Sequence, residues 1–187
     1  AKAPRDGYTL LMGGTAPITI NPALYPKMAV DPLREFAPVT LIAYSTSVLI
    51  AHPSVPVRTI GDLVALARAK PGQLSYASAG PGSTPHLSAE MFRHMTGVDL
   101  LHVPYKGVQP AVTETVAGRA QVIFADIPSL VPSVKGGKLR MIGVTGARRS
   151  LVVPEVPTIA ESGIAGYDYA TWYAFVAPAA TPKDVVA

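Results

Sequence analysis

The chain has 187 residues, 49% hydrophobic and 15% charged, and its 16 basic and 12 acidic side chains leave a net charge of +4. So much apolar content excludes a disordered polymer, and so mild and scattered an excess of base excludes the charge footprint of a nucleic-acid binder. The absence of cysteine excludes a disulfide scaffold, a thiol nucleophile and a thiolate zinc site. The tightest basic cluster, Lys135, Lys138, Arg140, Arg148 and Arg149, has few aromatics between its members, so no nucleic-acid partner is expected.

In chain order, residues 8–12 read as a buried strand followed by Gly13, Gly14 and Thr15. The long uncharged run 36–51 is broken by Pro38 and by hydroxyl residues, and falls short of the roughly 20 apolar residues a membrane span needs. It is read as two strands, 39–43 and 48–51, with no direct membrane insertion. Thr59 with Asp62 three residues on reads as a helix-opening capping box, and Pro71-Gly72 closes that helix. Strands at 75–78, 101–103, 121–125 and 139–144 then alternate with helices at 85–95, 109–117 and 129–134. A short helix at 158–162 and an aromatic-rich strand at 171–176 follow. Strands separated by helices imply βαβ crossovers, an α/β class and a mainly parallel sheet. The 19 prolines punctuate many short loops and form no linker.

Ligands of open α/β sheets bind beyond the carboxyl ends of the strands. Here that points to 13–16, 79–86 and 125–129. The loop Ala79-Gly80-Pro81-Gly82-Ser83-Thr84-Pro85-His86 lacks the lysine of a phosphate-binding loop. Pro85 stands where a dinucleotide fingerprint needs its third glycine, and prolines rather than glycines flank Ser83, so it is no serine elbow either. What remains is a small-residue loop with Ser83 or Thr84 as N-cap and Pro85 in the first helical turn. Its free amides and hydroxyls can seat an anion without a cationic side chain, or the loop can be an ordinary connection. Both readings stay open on the loop alone. A rival enzyme reading takes Ser83 or Ser78 as nucleophile, His86 as base and Asp126 as its orienting partner, in a small-acid ester hydrolase. His52, His94 and His102 have no metal-ligand spacing, so no metal is expected, and no cofactor. Lys106 reads as a solvated turn lysine, and Trp172 with Tyr173 as core or cleft wall.

Several motifs, in this order, resemble the Bug family, the extracytoplasmic solute receptors of tripartite tricarboxylate transporters. They are Asp6-Gly7-Tyr8-Thr9-Leu10-Leu11, Ile20-Asn21-Pro22-Ala23-Leu24-Tyr25 and Phe36-Ala37-Pro38-Val39. Tyr76-Ala77-Ser78-Ala79-Gly80-Pro81-Gly82-Ser83, His86-Leu87 and His102-Val103-Pro104-Tyr105-Lys106-Gly107 continue the set. Gly137-Lys138-Leu139-Arg140, Val156-Pro157-Thr158-Ile159-Ala160-Glu161-Ser162-Gly163, Trp172 and Ala177-Pro178 complete it, across nearly the whole chain.

The resemblance implies a type II periplasmic-binding-protein fold, two α/β lobes that close on a ligand. Residues 1–44 and 166–187 would belong to the first lobe and 45–165 to the second. It further implies a non-enzymatic, periplasmic receptor that holds a mono-, di- or tricarboxylate through backbone amides and hydroxyls and delivers it to membrane transporter subunits. By analogy, Gly14, Thr15 and Ala16 would face the ligand from one lobe. Ser78, Gly80, Gly82, Ser83, Thr84, His86 and Asp126 would face it from the other, with Trp172 and Tyr173 near the cleft. Family members carry a signal peptide, a strand and a glycine-containing loop upstream of the Asp-Gly-Tyr-Thr segment, and helices beyond the segment at Pro182. The first lobe is therefore expected to be incomplete here.

Overall fold

The computed structural model describes residues 3–25 and 27–186. The chain divides into two compact units, Ala1–Ser45 with Thr171–Ala187, and Thr46–Ala170. Residues 1, 2, 26 and 187 of the expected first lobe lie outside the described residues.

The second unit is built on one sheet. Its strands are the inner half of β2 (Phe36–Ala51), then β3 (Ser75–Ser78), β4 (Leu101–Pro104), β5 (Val122–Asp126) and β6 (Arg140–Val144). β3 pairs in parallel with β4 and β5, while β2 lies antiparallel between β5 and β6. The order is β4–β3–β5–β2–β6, with β3, β4, β5 and β6 pointing one way and β2 the other. The sheet is thus mainly parallel, as the alternation of elements requires.

Helices cover both faces. Leu49, Ala51, Tyr76, Val122, Phe124 and Ile142 pack with α3 (Ile60–Ala69) and α4 (Thr84–Thr96) through Ile60, Leu63, Ala67, Ala89 and Phe92. The alternate residues Val48, Ile50, Ala77, Ile123, Ala125 and Val144 pack with α5 (Val108–Val116) and α6 (Ile127–Lys135) through Ala111, Val112, Ile127 and Leu130. Strands buried on both faces have no polar side to display, which explains the continuous apolar run Val48-Leu49-Ile50-Ala51. Phe92 lies 5.9 Å from Phe124 and 6.4 Å from Tyr167, ring centre to ring centre, and none is more than 1% exposed. Full burial of such side chains contributes about 1.5–3 kcal/mol each.

In the first unit, β1 (Leu11–Gly14) pairs antiparallel with β7 (Ala170–Pro178), setting Gly14 opposite Tyr173. A π-helical turn, Ala16–Ile20, follows β1 directly and runs into α1 (Asn21–Leu24). α2 (Pro32–Glu35) is capped by the Asp31 carboxylate, which accepts from Leu33 N at 3.0 Å, and α7 spans Lys183–Val186.

Three expectations are corrected. The strands at 39–43 and 48–51 are one continuous strand, β2, because Tyr44-Ser45-Thr46-Ser47 holds neither glycine nor proline to turn the chain. The first strand is shifted from 8–12 to Leu11–Gly14, since both glycines pair with β7. The segment 158–162 makes a single uncontinued turn: Thr158 bridges Val144 of β6, and Ser162 N–H donates to Thr158 O at 3.1 Å. Thr158 and Glu161 cap one another there, each backbone amide donating to the other's side chain at 2.9 Å, before the chain leaves at Gly163. The other expected elements lie within a residue or two of where the sequence places them, α6 beginning at Ile127, ahead of Ser129. The π-helical turn, α1, α2 and α7 were not anticipated.

Candidate functional site

In the second unit α4, α5 and α6 begin at the carboxyl ends of β3, β4 and β5, so the amino ends of these helices gather at one edge of the sheet. Each helix start carries unpaired amides and a partial positive charge. β2 runs the opposite way, so Ser47, near the middle of that strand, reaches the same edge opposite Asp126.

The β3–α4 loop is folded by its own polar groups. Ser78 is fully buried; its Oγ accepts from Gly80 N at 3.0 Å and lies 2.6 Å from Nε2 of His102. Gly82 N–H donates to Nδ1 of His86 at 3.2 Å, and Gly82 holds φ +75°, a conformation that excludes ordinary side chains. The Ser83 hydroxyl donates to Gly80 O at 2.6 Å instead of capping α4, so the start of that helix has no side-chain cap. The Gly80 and Gly82 amides are therefore engaged within the loop. The hydroxyls of Ser83 and Thr84, both half-buried, stand at the uncapped helix start. Beside Thr84 lies the buried Tyr169 hydroxyl, whose pKa burial pushes up.

Asp126 opens α6, also without a side-chain cap. Its Oδ1 accepts from the Ser47 hydroxyl at 3.0 Å, and its carbonyl from the Ser129 hydroxyl at 2.7 Å. Thr145 ties Ser47 from the other side: Ser47 N–H donates to Thr145 Oγ1, and that hydroxyl to Ser47 O, both at 3.0 Å.

In the first unit Gly14, Thr15 and Ala16 form the passage from β1 to the π-helical turn. A Cβ on Gly14 would stand 3.1 Å from the carbonyl oxygen of Trp172, a tight contact that glycine spares where β1 meets β7. Thr15 Oγ1 accepts from Trp172 N at 2.9 Å. Trp172 lines an open cavity of about 540 Å³ with Pro38, Val39, Leu41, Tyr44 and Ala174. A second cavity of this unit, lined by Arg5, Leu11, Arg34, Phe36 and Val176, contains none of the expected site residues.

The expected residues thus fall into one group per unit. Gly14, Thr15, Ala16, Trp172 and Tyr173 share the first; Ser78, Gly80, Gly82, Ser83, Thr84, His86 and Asp126 lie along one sheet edge of the second. The Ser–His–Asp relay does not form. Ser78 bonds with His102 and Ser83 with a carbonyl, while His86 accepts from Gly82 and Asp126 from Ser47. Sequence reasoning missed His102, Ser47, Thr145 and Tyr169. His102 and Ser47 come from paired strands, and Thr145 and Tyr169 follow through the backbone bonds Thr145 N to Ser47 O and Tyr169 N to Thr145 O. His102 is 24 residues from the serine it touches.

The sequence model of the "Tripartite tricarboxylate transporter family receptor" matches residues 1–187, the whole chain. The chain belongs to this family. Receptors of the tripartite tricarboxylate transporters bind solutes and are not enzymes, which sets aside the hydrolase reading together with its missing relay. A protein encoded in the tcbD–tcbE intergenic region of Pseudomonas sp. strain P51 is 40% identical over 187 residues, all of this chain and 55% of its own length. A solved R. palustris protein with adipate superposes with a TM-score of 0.88 at 38% identity, covering 99% of this chain and 62% of that one. MatC of Rhodopseudomonas palustris with bound malate gives 0.83 at 30% identity, over 98% and 63%. The chain thus spans between half and two thirds of the length of these relatives. The fold is the periplasmic-binding-protein fold of these neighbours. No described helix is long and apolar enough to cross a membrane.

Proposed function

We propose that this protein is a periplasmic receptor that captures a small organic carboxylate and hands it to the membrane subunits of a tripartite tricarboxylate transporter. The observation that carries the reading is the uncapped start of α4, with its Ser83 hydroxyl turned back onto Gly80 O, beside the amino ends of α5 and α6. A helix start left without a side-chain cap keeps amide donors for an anion, and the partial positive charge there favours a carboxylate. Ser83 and Thr84 add hydroxyl donors, while Gly80, Gly82 and Ser78 shape the loop from beneath. Asp126 and Ser47 border the same edge.

In the first unit Gly14, Thr15 and Ala16 offer a second strand-to-helix passage, flanked by Trp172 and Tyr173. The adipate and malate held by the two R. palustris proteins make dicarboxylates the first class to try. We further propose that the two units are the lobes of the receptor.

A panel of mono-, di- and tricarboxylates in a thermal-melting experiment tests the proposal. A ligand that binds only the folded state at a hundred times its Kd adds about 2.7 kcal/mol. A selective rise in melting temperature with one of these acids is expected. No rise with any of them would overturn the reading.

A further inference from the structure

The groups beneath the β3–α4 loop form a titratable stack that simple anion capture does not require. His86 and His102 lie ring against ring, 4.4 Å apart at 31°, and Tyr76 stacks on His102 at 4.8 Å and 12°. His86 comes from the first turn of α4, His102 from β4 and Tyr76 from β3. Nδ1 of His86 accepts the Gly82 amide, and Nε2 of His102 meets the Ser78 hydroxyl that accepts the Gly80 amide. Each loop glycine is therefore fastened to this pair, one directly and one through a serine.

The remaining charged groups around the stack are already paired. The Tyr76 hydroxyl donates to Glu90 at 2.5 Å; Arg93 bonds Glu90 at 2.8 Å and Asp99 at 3.2 Å. Among the described residues, the carboxylates of this cluster, Glu90 and Asp99, are thus both engaged by Arg93. Nδ1 of His86 can accept from Gly82 only while it carries no proton, and a second charge on the neighbouring imidazole is opposed by proximity. Burial first, then His86 beside it, holds His102 below the ordinary histidine range.

We infer that His86 and His102 are positioning residues that hold the loop 79–84 in its anion-seating form only while both imidazoles are neutral, so that carboxylate affinity falls as the pH drops through the histidine range. The inference deepens the receptor reading and rests on it for the affinity. The coupling of the loop to the histidines stands apart from any ligand. Protonated His86 presents N–H to N–H at Gly82. That bond opens, and the backbone at the helix start loses its fixed geometry.

The test has two arms. In the ligand-free protein, amide NMR from about pH 8 to pH 5 spans the titration of an ordinary histidine. The Gly82 amide is expected to shift in step with the His86 ring, and the step to vanish in His86→Asn, whose side-chain oxygen accepts without titrating. His86→Gln serves if the first variant does not fold. In the second arm, adipate and malate affinities are measured over the same range. About a tenfold weakening over one pH unit is expected in the wild type, as one linked proton permits, and a flatter profile in His86→Asn. A Gly82 amide indifferent to pH overturns the histidine coupling by itself. Affinity that rises on acidification, or falls equally in the variant, overturns its effect on binding. Absence of either ligand's binding at every pH overturns the carboxylate reading and leaves the first arm to judge the coupling.

Discussion

Ser83 occupies the position of a capping hydroxyl, and its Oγ nevertheless donates to the carbonyl of Gly80. Choosing between the two needs the loop's backbone path, which Gly82 makes possible at φ +75°. The sequence therefore exposed the residue types of the loop but not the direction of their hydrogen bonds. Gly82→Val should weaken carboxylate binding and cost about 1–2 kcal/mol from the left-handed backbone alone, with circular dichroism little changed. Unaltered affinity in that variant would reduce the loop to a turn. At His102 the sign of the pH effect is fixed by its lowered pKa, caused first by burial and then by His86. The folded state favours the neutral ring, so its contribution is complete above the ordinary histidine pKa and is lost as the pH falls toward the lowered one. Urea midpoints should drop on acidification through that window, and the drop should shrink in His102→Gln.

Elements with both a periodic face and explicit end signals were legible almost to the residue. α3 shows this, because Thr59 and Asp62 exchange backbone and side-chain bonds as the spacing demands, Asp62 N to Thr59 Oγ1 at 3.1 Å and Thr59 N to Asp62 Oδ2 at 3.0 Å. Thr59→Ala should cost about 1 kcal/mol, read from chemical denaturation of the chain. β1 and β2 were not legible in this way, because a partner strand decides their extent. In β2 no glycine or proline turns the chain at 44–47, and from Ser47 on its course is set by pairing with β5 and β6, which no local signal records. Likewise Gly13 and Gly14 are poor strand formers on their own, yet pair across from Ala174 and Tyr173. The packing between α4 and the sheet centres on Phe92, 0% exposed against Phe124 and Tyr167. Phe92→Ala should destabilise the second unit by about 3–5 kcal/mol. A loss below 1 kcal/mol would mean that the aromatic cluster does not hold that face.

Over the whole molecule the α/β alternation foretold a mainly parallel sheet, and the structure adds why one strand runs against the rest. β2 enters the second unit from the first at Ser45–Thr46, where the division between the units falls, and slots between β5 and β6. That insertion brings Ser47 to the edge where α4, α5 and α6 begin, and Ser47 and Thr145 there brace Asp126. Side-chain partners of the candidate site come from distant parts of the chain, while its amide donors come from helix starts. Of these the sequence marked α4 and α5 to within a residue and placed α6 two residues late. Recognition by main-chain donors would leave little side-chain signature, which is why the sequence offered a ligand class only through the family resemblance and no single acid. The central claim is that this edge recognises carboxylate charge. Calorimetric titration with adipate and with its uncharged dimethyl ester tests it directly. The account predicts saturable binding of the diacid and none of the ester, whereas equal binding of both, or binding of the ester alone, would contradict it.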